Sequence, residues 1–442
     1  MTTENHLGSS ATTVDNPVSA MRRIFQANRA GAAHGIYAVC SAHPLVLEVA
    51  FAQAAADNSL LLIEATCNQV NQDGGYTGMT PAGFRDYVRS LAAAAGFSAD
   101  RIILGGDHLG PNPWRSLSAE AAMDKASVMV RDFALAGFTK IHLDASMRCA
   151  GDPAVLGDEE IAERAARLCA IAETATAESS IRPVYIVGTE VPTPGGAQGE
   201  LEIAVTTIAS VEKTLAVHRQ AFDRHGLATA WERVVGVVVQ PGVEFGDESV
   251  ADYVPGNAAN LSQWILSAEG IVFEAHSTDY QTGQSLRQLV RDHFAILKVG
   301  PELTFALREA VFGLAGVEQE WIAGAPLSDI RAALDRAMIE SPANWQGYYH
   351  GDAHQLQVAR AYSLSDRIRY YWPDPQVSAA LSLLIENLAH HPAPLPVLAQ
   401  YLPFQAEAIR RKEIENNPRA IIGHRVRQAL GRYSQACGIE SL

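Results

Sequence analysis

The sequence predicts an α/β protein built as a closed (β/α)8 TIM barrel with a helical C-terminal extension. Eight short apolar runs lie between breakers, a helical period follows each, and beyond about residue 317 helical periods succeed one another with no strand signal. Short apolar runs of this kind are strands buried on both faces. Their strict alternation with helices demands parallel pairing, because each crossover returns the chain to the same end of the sheet. An open doubly wound sheet would satisfy the same alternation. The count of eight and the lack of a GxGxxG after the first strand favour closure.

In order, residues 1–16 read as a loose polar tail and 18–33 as a helix with Arg22, Arg23 and Arg29 on an exposed face. The eight strands follow at 35–40, 60–64, 102–108, 140–146, 183–188, 234–240, 270–276 and 295–299. Helices are expected at 44–56, 80–95, 118–136, 158–177, 203–223, 257–267 and 285–293, several opened by Ser or Thr before Pro or a polar first turn. The barrel is taken as 17–317 and the extension as 318–442. Within the extension, helices are expected at 327–339, 353–369, 375–389, 395–408 and 419–436.

Composition bounds the partners. The chain has 442 residues, 48% of them hydrophobic and 19% charged, which allows a large core. A net charge of -15 opposes nucleic acid and anionic membrane surfaces, so any anionic ligand needs a local cluster of donors. Five scattered cysteines without a CxxC fit a reducing compartment, and no apolar run approaches membrane-spanning length. A cytoplasmic location is expected, with the oligomeric state open.

The chemistry is expected where the strands end, at the mouth of the barrel. The exits carry Glu64, Asp107, His108, Asp144, Ser146, Glu190, Gln240 and His276. A single such residue is readily a helix cap or a satisfied core group. Together, His108, Glu190 and His276 supply two imidazoles and a carboxylate, a set suited to zinc or another divalent ion with a position open for substrate. Asp107 should point away from its neighbour His108 in a regular strand. A bend at the exit would bring it to the mouth as a general acid or base, with Asp144 and Glu64 as further catalytic candidates. Ser146, Gln240 and the backbone of Gly195 and Gly196 are candidate substrate contacts. From the extension, Arg367, Arg369 or His354 would add a phosphate donor, and Arg367 is the one carried forward. Lys298, inside the eighth strand, is a less favoured Schiff-base amine.

The segments ILGGDHLGPNPW, KIHLDAS, GTEVPTPGGA, VVVQPGVEFGD and SLSDRIRYYW together resemble the GatZ/KbaZ family, also labelled tagatose-6-phosphate kinase, over nearly the whole chain. That family in turn resembles class II aldolases. The resemblance implies that Asp107 matches the aldolase proton-transfer aspartate, that His108 and His276 match zinc-binding histidines, and that Glu190 matches a glutamate near the metal. Where aldolases carry a sixth-strand histidine this chain reads QPGVEFG, leaving Gln240 or Glu244 as the nearest polar candidates. Two functions are implied. One is a non-catalytic accessory subunit of a class II tagatose-1,6-bisphosphate aldolase in galactitol and tagatose catabolism, with a retained metal site. The alternative is a metal-dependent ketose or ketose-phosphate 4-epimerase or aldolase active on its own. A kinase is disfavoured, since the chain has no GxxxxGK[ST] and no Gly-Lys dipeptide.

Overall fold

The computed structural model describes residues 16–190 and 203–438. Eight parallel strands close into a barrel: β1 (Ile36–Val39), β2 (Leu61–Thr66), β3 (Ile102–Leu109), β4 (Lys140–Leu143), β5 (Val184–Val187), β6 (Val234–Val238), β7 (Val272–Ala275) and β8 (Ile296–Val299). Each pairs with its sequence neighbours, and β8 closes on β1 with Ile36 opposite Ile296. The expected order of strands and helices holds through the barrel, with ends displaced by a few residues. A two-residue ribbon pairing Glu244–Phe245 with Val250–Ala251 adds to it in the loop after β6.

Alternation along the strands divides the side chains. The outward set, including Ile63, Ile141, Tyr185, Phe273 and Leu297, packs under the helix layer. The inward set is stacked in two levels. The lower is apolar, built from Ile36, Leu62, Ile103, Val184, Val272 and Ile296. Val18, Met21 and Phe25 of the helix Pro17–Arg29 plug it from below. Contrary to the expected exposed basic face, Arg29 turns its guanidinium onto the carbonyls of Ile265 (2.8 Å) and Ile271 (2.6 Å), where it ties the plug to the loop before β7.

The upper level is charged, and a glycine makes room for it. Gly105 of β3 lies between Glu64 and Lys140 in the register, and a Cβ there would meet the Glu64 side chain at 2.7 Å. Without one, the Glu64 carboxylate reaches across β3 to the Lys140 ammonium at 2.6 Å. Gly110, just past β3, is forced by another close approach, since a Cβ there would lie 1.6 Å from the Asp144 carbonyl oxygen.

The helix after β8 is continuous from Pro301 to Trp321. Among the described residues beyond it, α-helices lie at Ile330–Glu340, Ala353–Tyr362, Pro375–His390, Leu395–Tyr401, Pro403–Arg410 and Pro418–Ala436. The last of these packs against the helices Pro44–Ala56, Gly283–Arg291 and Pro301–Trp321 and so belongs to the barrel's own outer layer. No helix among the described residues is long and apolar enough to cross a membrane.

Candidate functional site

The strand ends converge on a cavity of ≈ 500 Å³, within the range of about 300–1,000 Å³ usual for small-molecule sites. Its floor includes Asp107, His108, His276 and Lys298. Asp107 and His108 are adjacent, yet both reach this floor. The reason is local: His108 adopts a left-handed backbone (φ 49°), and the pairing of β3 with β4 slips between Gly106 and Leu109. The His108 N–H, turned inward by this bulge, lies 3.2 Å from Nδ1 of His142.

His142 occupies the inward position between Lys140 and Asp144 on β4. The rings of His108, His142 and His276 stand 4.9 to 5.1 Å apart, centroid to centroid, in edge and tilted contacts. With Asp107 they form a buried group whose ligating atoms all lie within 4.8 Å of one another. Each imidazole also has a carboxylate beside it: His108 Nδ1 lies 2.8 Å from Asp144, His142 Nδ1 3.1 Å from Asp107, and His276 Nε2 2.9 Å from Glu274. Carboxylates set against imidazoles in this way orient them and fix which nitrogen is free. Asp144 is itself held by the N–H and hydroxyl of Ser146.

Beneath the imidazoles the charges interlock. Lys140 lies 2.6 Å from both Glu64 and Glu274, while Lys298 pairs with Glu64 and lies 2.7 Å from Asp107. Burial would neutralise Asp107 and Glu274. Against it, His108 and Lys298 hold Asp107, and Lys140 and Lys298 hold Glu274, well below the usual carboxylate range. Lys298, which burial would discharge, is held well above the usual lysine value by Asp107, Cys40, Glu64 and Glu274. A Schiff-base role is thereby disfavoured, since the nucleophilic form of the amine is the neutral one. Burial depresses His276 to about 3, so its ring is neutral and available as a ligand. Burial also acts to lower His108, but Asp107 and Asp144 outweigh it and raise its pKa.

A divalent cation fits this arrangement on two counts. With the imidazoles neutral, the carboxylates of Glu64, Asp107, Asp144 and Glu274 face the ammonium groups of Lys140 and Lys298, a surplus of negative charge in a dry interior. In addition, Nε2 of His142 is buried without a hydrogen-bond partner among the described residues. His108, His142 and His276 are the residues that would hold the ion, with Asp107 beside it.

The expected site residues fall into two sets. Asp107, His108, Asp144, His276 and Glu64 are drawn together, with Ser146 one hydrogen bond further out. Glu190 stands apart from this group: it is exposed and accepts a hydrogen bond from Thr206 (2.6 Å), while His142, not singled out in the sequence, lies within the cluster. Gln240 turns its side-chain oxygen back onto the N–H groups of Gly242 and Val243, which shapes the loop after β6 rather than the cavity. Glu244 is buried, pushed up to about 7 by that burial, and accepts from the N–H of Phe245. Gly195 and Gly196 lie outside the described residues. Arg367 is buried over the ring of Tyr348, 3.2 Å from its centroid, and bonds the Asn344 carbonyl, whereas Arg369 lines the cavity. His354 is exposed in the first turn of the helix Ala353–Tyr362.

Sequence reasoning missed His142, although a signal was present. Lys140, His142 and Asp144 alternate with Ile141 and Leu143, so one face of β4 is wholly polar inside a barrel.

The fold and this cluster define a (β/α)8 barrel with an imidazole–carboxylate centre at the carboxyl ends of its strands. The chain belongs to the GatZ/KbaZ-like family: the model described as D-tagatose-1,6-bisphosphate aldolase subunit GatZ/KbaZ-like matches residues 21–438. A crystal structure described as a probable tagatose 6 phosphate kinase from Sinorhizobium meliloti 1021 is 47% identical, covers 91% of this chain and 100% of its own, and superposes with a TM-score of 0.83. More distant similarities include the YdjI aldolase from Escherichia coli K12 (12% identity, 83% of this chain and 97% of that one, TM-score 0.38). The fructose-bisphosphate aldolase of Campylobacter jejuni is comparable (13%, 83% and 91%, TM-score 0.41).

Proposed function

We propose that this chain is a divalent-metal-dependent enzyme of ketose or ketose-phosphate metabolism, related to tagatose-bisphosphate aldolase, which makes or breaks a carbon–carbon bond next to a hydroxyl and so acts as an aldolase or 4-epimerase. One observation carries the reading: three imidazoles and Asp107 cluster together, with His108, His276 and Asp107 on the floor of an open cavity and His142 buried just behind them. Zinc is the ion best matched to three neutral imidazoles. Such an ion, when bound, supplies Lewis acidity toward the oxygens of a keto-sugar.

The chain's own residues do the rest. Asp107, kept ionised, accepts the proton of the substrate hydroxyl as the adjacent carbon–carbon bond breaks and returns it on re-addition. Re-addition to the opposite face inverts that carbon. Lys298, 2.7 Å from Asp107, and His142, 3.1 Å away, hold the carboxylate in position through the transfer. Asp144 and Glu274 keep the rings of His108 and His276 turned toward the centre.

A second reading is supported by the family's description as an aldolase subunit: an accessory chain that keeps the cluster but acts through a separate class II aldolase. The two are separated by incubating the purified chain alone, with divalent ion, with fructose 6-phosphate or tagatose 6-phosphate. Interconversion or cleavage is expected. Inactivity alone, together with stimulation of a co-purified class II aldolase subunit, would favour the accessory role. Protein prepared without chelator should contain divalent metal, and His108→Ala and His142→Ala should lose it; full metal content in both variants would reject the centre.

A further inference from the structure

The extension contributes one wall of the cavity. Residues 363–370 cross the barrel mouth as a strip that ends in a single 3-10 turn, Arg367–Tyr370, and Arg369, Tyr370 and Trp372 face the same space as His108 and His276. Two barrel loops and the helix after β8 fasten this strip. After β6, Asp247 accepts from the hydroxyls of Ser363 and Ser365, each at 2.8 Å, and its carbonyl accepts from the N–H of Leu364 at 2.9 Å. After β7, the Tyr280 hydroxyl donates to the Leu364 carbonyl. From the helix after β8, Arg308 forms a buried ion pair with Asp366 at 3.0 Å, and Asp366 itself has a left-handed backbone (φ 43°). On the far side Tyr370 meets Tyr76 of the loop after β2, edge to face at 4.6 Å.

The strip fixes a guanidinium. Arg369 Nη1 donates to the carbonyls of Ser365 and Asp366, and Nη2 lies 3.0 Å from the Tyr370 hydroxyl. The Nε–H and the second Nη2–H have no partner among the described residues. A planar fork already oriented by backbone carbonyls loses little freedom when it binds, and it matches the paired oxygens of a phosphate ester or carboxylate. The surrounding field leaves an anion dependent on a local donor: the molecule carries a net charge of -15, and on the cavity floor the Asp107 carboxylate already takes up Lys298. Lys298, the other cation on that floor, is already engaged by Glu64 and Asp107. Arg419, at the rim, lies 3.7 Å from Glu48.

We infer that Arg369 is the specificity-determining residue of this cavity and binds the anionic end of the substrate, so that the enzyme takes keto-sugars bearing a phosphate ester or a carboxylate in preference to neutral ones. The inference rests on the ketose reading above and adds the charge of the substrate.

The test is calorimetric titration of the full-length, metal-loaded chain with inorganic phosphate, fructose 6-phosphate, fructuronate and fructose. Wild type is expected to bind an anionic sugar more tightly than fructose, and whichever of fructose 6-phosphate and fructuronate binds better names the anion. Arg369→Gln should weaken that anion about tenfold to a hundredfold, as loss of a charge-assisted hydrogen bond does, and leave fructose unchanged. Arg369→Lys, which keeps the charge and loses the fork, should fall between and serves if the glutamine variant does not fold. Equal affinity for anionic and neutral sugars in wild type, or anion affinity unchanged in both variants, would overturn the inference. Metal content, lost in His108→Ala and retained in the Arg369 variants, keeps a failure here distinct from a failure of the metal centre.

Discussion

Lys140 occupies an inward barrel position with no exposure to solvent, directly above the apolar lower level. Its ammonium is shared between two carboxylates that are equally buried, Glu64 and Glu274, each at 2.6 Å. Replacing one member of such a group strands the rest, which typically costs about 3–5 kcal/mol. Lys140→Met is therefore expected to lower the unfolding free energy by about that much at pH 7, measured by urea denaturation, although Met fills a similar volume. A loss within about 0.5 kcal/mol, as at an uninvolved surface position, would show that the carboxylates are balanced by something else. Side-chain chemistry at this scale was partly legible. Asp107, His108 and His276 stand out because polar residues follow apolar runs. His142 was hidden because it falls inside its run, and Glu190 drew attention because it ends one and because of the aldolase resemblance.

Elements were legible wherever breakers bound them, as Pro44, Thr80–Pro81 and Gly137 do. They were not legible where tertiary partners compete with the helix. The helical period expected to run from 353 to 369 stops at Tyr362, because Ser363 and Ser365 hydrogen-bond Asp247 in place of continuing the turn. The period expected over 395–408 is cut at Leu402 by Pro403, which cannot donate within a helix. Bulging of β3 at His108 had no local sequence signal beyond its glycines. In the helix Ile208–Arg224, His218 is buried, one ring nitrogen lying 2.9 Å from the Thr214 carbonyl and the other unpaired among the described residues. Burial outweighs that carbonyl and lowers His218 to about 4. Its unfolded value is about 6.5, so the stability it contributes is complete above that pH and is lost as pH falls toward 4. His218→Gln should flatten the acid limb of stability against pH by up to about 3 kcal/mol across this window, read by thermal or urea unfolding at several pH values. Parallel limbs for the two proteins would refute it.

For the whole molecule, the central question is how a barrel tolerates a charged upper level above an apolar one. The proposed ion offsets the surplus carboxylates, so folding and metal binding should be linked. Stripping the metal with a chelator is expected to lower Tm, and restoring it at 100 to 1,000 times its Kd should recover about 3–4 kcal/mol. A Tm indifferent to chelator and to added zinc would mean that the protein balances these charges alone. The (β/α)8 architecture was the most legible feature of all, because it is written in the repetition of eight units and survives errors in any one of them. The joining of distant segments was not, since no local pattern announces that the loop after β2 will meet Tyr370.

The strip fastened across the barrel mouth also sets an order of events during synthesis. Every strand has left the ribosome before residues 363–370 have been made, so a growing polypeptide holds its polar funnel uncovered until translation is almost finished. Only a chain that has been read nearly to its end can clasp the charged end of an anionic sugar, and a prematurely released fragment, however well its strands have closed, lacks the guanidinium that would hold it.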